Sequence, residues 1–261
     1  MHSIIFHAHQ KLDRVARKHL AELLPATSFP SSKQILHFEA GHGPDGARLK
    51  RQRASQPWHF IDPDDLTDTQ LHKEISHHYE NLVVALRKSD KVRAAFEASW
   101  LAHAIVDGLT PAHHYPYEQE LSEIRGGEDK NTRKGLAGRL YVKGDTVASS
   151  VKQSLKLVGP NGLLTSHAMF EAGAYTLIAP LKLKAGLPTP AQIKDVTKRG
   201  VVAVFKDVAN EIAEMDIYER FCKIGWTQTI SQDVRREMAP RMVRMITLSW
   251  YSACRDAGAK A

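Results

Sequence analysis

His103-Ala-Ile-Val-Asp107-Gly-Leu-Thr-Pro-Ala-His113 is the stretch from which the rest of the chain is read. It ends an apolar run that predicts a helix from about Asp90 to Val106, broken at Gly108 and Pro111. His103 and Asp107 stand four residues apart, so a helix stacks both on one face. Ala104, Ile105 and Val106 lie between them, and ionisable groups in apolar surroundings are rarely buried unless paired or metal-bound. His167-Ala-Met-Phe-Glu171 repeats the spacing downstream. Imidazole and carboxylate are the ligands zinc takes where thiolate is absent. Two such pairs, with His113 just past a helix end, point to a multi-metal site.

The pattern on either side is helical. Leu12, Val15, Ala16, His19, Leu20 and Leu23 keep helical spacing until Pro25. Residues 26–57 are rich in Ser, Gly, Pro and Arg and read as a long ordered loop. Thr67 with Gln70 reads as a capping box opening a helix to about Arg87. Residues 115–145 are polar and glycine-bearing and read as a mobile loop or lid. Helices are expected from about Thr146 to Leu157, through His167 and Glu171 to Pro180, and from Thr189-Pro190 to about Ile224. A last helix, kinked by Pro240, runs to about Arg255. No segment sustains period-two alternation. The expectation is an all-α fold, one domain over residues 1–261, with the ligands in 9–171 and a helical scaffold over about 189–257.

Composition narrows the chemistry. A chain of 261 residues with 43% hydrophobic residues can bury a real core. Cys222 and Cys254 are too few for a disulfide framework and lack ligand spacing, so any zinc rests on nitrogen and oxygen. Fourteen histidines supply the nitrogen. A net charge of +7 favours anionic partners: nucleic acid, an anionic lipid surface or a phosphorylated substrate. No apolar run is long enough to span a membrane. No signal-peptide pattern is visible at Met1-His-Ser-Ile-Ile-Phe-His7, which leaves a cytoplasmic and a processed secreted protein both open.

The ordered set of motifs resembles the superfamily of zinc-dependent phospholipases C and single-strand-specific zinc nucleases. Its hallmark reads here as His103-x3-Asp107-x5-His113, then His167-x3-Glu171, with the upstream element His59-Phe60-Ile61-Asp62. Asp45 lies fourteen residues before His59, and His9 is followed by Leu12 and Ala16 as in the superfamily's first helix. The resemblance implies up to three zinc ions. The first would take Asp45, His59, His103 and Asp107; the second His113, His167 and Glu171; the third would share Asp107 and use His9. It further implies that Asp45 orients or deprotonates the attacking water, with Arg48 at an Asp-x-x-Arg spacing to meet the scissile phosphate. Two departures stand out. Val106 replaces a glycine usual before the motif aspartate, and no tryptophan stands near Met1-His2-Ser3, where the superfamily completes its third site. The third site is therefore expected to be the weakest of the three, or absent, with His7 as a stand-in ligand.

The resemblance leads to a zinc-dependent phosphodiester hydrolase of the phospholipase C kind, its substrate a phospholipid and its contact with anionic membrane peripheral. The first alternative is a single-strand-specific nuclease. There Phe60 would stack a base, Asp62 would bond its edge, and Lys50, Arg51 and Arg53 would track the strand. Gly46 and Gln56 provide no aromatic wall for a choline head group. The second alternative is a zinc-stabilised binding protein with little turnover.

Overall fold

Buried Leu12, Ala16 and Leu20 form one stripe of α1 (His2–Leu23), as their spacing predicts. The computed structural model describes residues 2–25, 28–39, 43–44, 59–65, 67–114, 117–127 and 141–258, with backbone alone for 2–7 and 117–118. Every regular element among these is helical, and the all-α expectation holds. A short α2 (Ser32–His37) interrupts the expected 26–57 loop. Its start is a capping box: Ser31 Oγ accepts from Gln34 N, and Gln34 Oε1 accepts from Ser31 N at 2.9 Å.

α3 (Gln70–Arg87) packs along α4 (Lys91–Gly108). The expected Thr67 cap is corrected. Thr69 is the N-cap of α3 and makes no side-chain bond there, while Thr67 turns back to Asp65 Oδ1. Asp90 does cap α4, accepting from Arg93 N at 3.0 Å. From Glu97 to Gly108 every residue of α4 except the half-buried Trp100 is buried. From Leu101 onward the helix has no solvent face, and this is why His103 and Asp107 lie in the interior. Gly108 lets neighbours close in: a Cβ there would stand 2.5 Å from the Phe205 ring and 2.6 Å from Leu71.

Beyond α4, Pro111–His113 forms a 3-10 turn. The expected 115–145 loop contains α5 (Tyr117–Ile124), which corrects that reading for those residues. Then come α6 (Val147–Val158), capped by Thr146, and α7 (Leu163–Ile178), which carries His167 and Glu171. The single long helix expected after Thr189-Pro190 is three helices: α8 (Pro190–Arg199), α9 (Val201–Ala213) and α10 (Ile217–Ile224). The breaks fall at Gly200 (φ 83°) and Asp216 (φ 50°), both in positive-φ backbone that no helix can continue through. α11 (Gln228–Asp233) passes through a π-helical turn, Val234–Met238, into α12 (Ala239–Asp256), with Pro240 at the start of α12.

α12 packs on α1, α3 and α4. Trp250 is fully buried and its Nε1 donates to Ala98 O of α4 at 3.1 Å. A second, smaller cluster of Leu121, Val142 and Leu157 joins α5 to α6, with Phe60 and Leu163 packed against it. No helix of the described residues is long and apolar enough to cross a membrane.

Candidate metal centre

The site is built on α4, where His103 and Asp107 sit one turn apart with Nε2 3.2 Å from Oδ2. α1 brings His9, whose ring stacks on that of His103 with centroids 4.1 Å apart. The segment at 59–61 is hooked to the 3-10 turn by Ile61 N donating to His113 O at 3.1 Å. That bond carries His59 and His113 to the same place. α7 supplies His167 and Glu171 from the far side.

Asp107 is the hub. Its Oδ2 faces His59 Nδ1, in close contact, and His103 Nε2. Its Oδ1 faces His9 Nε2 and His113 Nδ1, each at 3.6 Å. His113 is shared: its Nε2 lies 3.2 Å from Glu171 Oε1, and His167 Nε2 lies 3.1 Å from the same oxygen. Ligand atoms of His9, His103 and Asp107 all lie within 4.8 Å of one another, as do those of His113, His167 and Glu171.

These distances can be tested against zinc. Four ligands bonded at ~2.0–2.1 Å stand ~3.3 Å from each other around a tetrahedron. The His103–Asp107, His113–Glu171 and His167–Glu171 separations of 3.2, 3.2 and 3.1 Å match that edge. The donor set is all nitrogen and oxygen, as zinc accepts, and Cys222 and Cys254 lie outside it. A small cavity of about 40 Å³ touches His9, Asp107, His113 and Glu171 on one side and Met238 and Met242 on the other. It has room for water-sized ligands between the two groups. The π-helical turn ending at Met238 thus borders the site, a frequent place for such turns. A larger cavity of about 480 Å³ lies between α5, α6, α7 and α10 and holds none of these ligands. The ionisable groups converge on the smaller one.

Electrostatics accord with this assignment. Burying a lone carboxylate costs several kcal/mol, about enough to unfold a marginal domain. Burial pushes the Asp107 carboxyl up, but His103, His59 and His113 outweigh it and hold it well below the usual carboxylate range. Glu171 is likewise lowered, burial being outweighed by His167 and His113. Both are carboxylates ready to ligate. His114, next in chain to His113, points elsewhere: its Nε2 is 2.9 Å from Gly108 O, and burial lowers its pKa to about 4.

Two carboxylates escaped the sequence reading. Glu39, 1% exposed, accepts from His103 Nδ1 and from Ser99 Oγ, each at 2.9 Å. It turns the His103 ring so that Nε2 faces Asp107, the usual way a carboxylate orients a metal-binding imidazole. Its pKa is lowered, burial being overcome by His103 and His9. Asp13, 2% exposed, has no hydrogen-bond partner on either oxygen. Burial and the neighbouring Glu39 raise its pKa well above normal. Glu39 had no spacing signal. Asp13 had one, since His9-x3-Asp13 is a third histidine–carboxylate pair at helical spacing.

The remaining expected residues divide. Asp45 and Arg48 lie outside the described residues, as do Lys50, Arg51 and Arg53, and the His7 side chain is not described. Phe60 is half-buried, its ring centroid 5.4 Å from that of His113 and 6.5 Å from that of His167. Asp62 is exposed and accepts from Asp64 N at 3.0 Å within a local turn.

Comparison of the chain with models of protein families, with curated proteins and with solved structures finds no match. The site is therefore read from its own residues.

Proposed function

We propose that the chain is a zinc-dependent phosphodiester hydrolase of the phospholipase C kind. The observation that carries this reading is the sharing at Asp107 and His113. Through them two three-residue nitrogen–oxygen cages form one cluster, with edges of zinc-tetrahedron length. Such sharing suits neighbouring ions acting on one substrate better than a closed structural site. Zinc held by these residues would supply a water that ionises near neutral pH and positive charge toward a phosphodiester.

The chain's own residues do the rest. Glu39 holds the His103 ring, and Asp107 and Glu171 stay ionised at neutral pH. Half-buried His167 and Glu171 leave the second cage the more accessible of the two. Asp45 and Arg48 keep the roles that the resemblance implies, water orientation and phosphate contact.

The test is hydrolysis by zinc-loaded protein, with mixed phospholipid vesicles and single-stranded DNA side by side. A Glu171→Ala protein serves as blank. Release of phosphorylated head group is expected. Cleavage of DNA alone would replace this reading with the nuclease. No cleavage of either substrate above the blank would replace it with a zinc-stabilised binding protein.

A further inference from the structure

α6 is inside out. Val147, Val151, Leu155 and Val158 follow one another at four, four and three residues, which is one stripe of a helix. All four are exposed, at 83%, 53%, 56% and 38%. The inward side carries serines. Ser150 Oγ accepts from Gly144 N at 2.8 Å and Ser154 Oγ from Val142 N at 3.0 Å, so they serve to hold the preceding segment. Only Leu157 on that side joins the small apolar cluster. A helix that spends its serines inside and its valines outside is not stabilised by its own fold on the outer face.

The flank of the stripe names the occupant. Lys152 and Lys156 each follow a stripe residue by one position, so both stand along its edge, and both are exposed. No acidic residue occurs between Thr146 and Val158, and the chain carries +7 overall. An apolar strip bordered by lysines fits the plane between the head groups and acyl chains of an anionic bilayer. A second copy of the same strip would bring lysines against lysines, and nucleic acid would leave the valines uncovered.

Position adds to this. Lys156 also borders the cavity of about 480 Å³, whose other walls include Glu120, Glu123, Glu219, Leu163 and Ser166. Ser166 directly precedes His167 of the metal cluster. α6 thus borders a cavity whose wall continues into the helix that carries His167 and Glu171.

We infer that the Val147–Val158 helix is the surface by which this protein docks on anionic phospholipid membranes. The inference deepens the phospholipase reading and rests on it for the substrate, though not for the surface.

The experiment uses the full zinc-loaded chain and its Val151→Asp/Leu155→Asp variant. Both are sedimented with vesicles of phosphatidylcholine alone and of phosphatidylcholine mixed with phosphatidylglycerol. In parallel, both are assayed on a short-chain phospholipid below its micelle concentration. Wild type is expected to sediment with the mixed vesicles. The variant is expected to lose binding by about tenfold or more, with an unchanged circular dichroism spectrum and unchanged cleavage of the monomeric lipid. Equal binding by both proteins, or none by wild type, overturns the docking surface. So does a concentration-dependent dimer that the substitutions abolish, since a second copy would then cover the strip. Vesicle binding that the variant loses, with no lipid cleaved by wild type, upholds the surface and overturns the hydrolase.

Discussion

Glu39 Oε1 lies 2.9 Å from His103 Nδ1, which leaves Nε2 of the same ring to face Asp107. The carboxylate also stands 3.9 Å from His9 Nδ1, so it neighbours two of the three residues of the first cage. Replacing it should weaken metal binding without removing a ligand. Glu39→Ala is expected to lower zinc affinity by about 10–100-fold, read by competition with a chromophoric chelator. In the cobalt-substituted protein the visible absorption bands should change shape, because the ring is free to turn. Unaltered bands and affinity would show that His103 is oriented by packing alone.

The two cages should be separable by stoichiometry. Glu171→Ala removes the oxygen that faces both His113 and His167 and is expected to cost one bound zinc per chain. His9→Ala is expected to spare that ion, since His9 belongs to the other group. Asp107→Ala should empty both, because its oxygens face four imidazoles. Metal analysis after dialysis distinguishes the three variants, and equal losses in all of them would contradict the division.

Chelation should lower the melting temperature and zinc should restore it. With free zinc at about a hundred times its dissociation constant, the linkage is worth about 2.7 kcal/mol per site. Differential scanning fluorimetry across a zinc titration reads it. A melting temperature that ignores chelator would remove metal from the account of the buried histidines.

Asp13 gives a pH signature in the metal-free protein. Its pKa in the fold is raised, first by burial and then by Glu39. A carboxyl raised in this way contributes its full stability below the unfolded value of about 4, and loses it as pH rises through the folded pKa. Asp13→Asn keeps the shape and has no charge to bury. Its melting temperature is expected to gain on wild type progressively as pH is raised from acid to alkaline. A difference that stays constant with pH would mean that Asp13 titrates alike in the folded and unfolded chain.

Gly108→Ala should destabilise by about 1–3 kcal/mol through overpacking, since the added carbon meets Phe205 and Leu71 closer than 3 Å. Urea unfolding checks it. An unchanged midpoint would mean that both side chains swing aside.

What the sequence showed of this site follows helical arithmetic. His103 with Asp107, and His167 with Glu171, were legible because four residues make one turn and each pair ends on one face. His9 with Asp13 has the same spacing, but spacing alone does not tell a ligand pair from a ligand beside a buried acid. Glu39 was illegible on physical grounds: it reaches His103 across sixty-four residues, from the end of a helix hidden in a stretch rich in Ser and Pro. The breaks among the three helices between Pro190 and Ile224 are only half visible in the sequence. Gly200 was a visible breaker, but Asp216 takes up left-handed backbone with no glycine to announce it. The exposure of the α6 stripe was also out of reach, because periodicity gives an apolar face without telling which way it points.

The bond from Trp250 to Ala98 ties the last helix to the one that bears His103 and Asp107. α12 supplies no ligand and no motif, yet it is the anchorage of the helix from which the ions would hang. Damage in the final dozen residues would then imitate a lesion at the chemistry while leaving every ligand in place. Such variants would be misread as catalytic, unless metal occupancy and turnover were measured on the same sample.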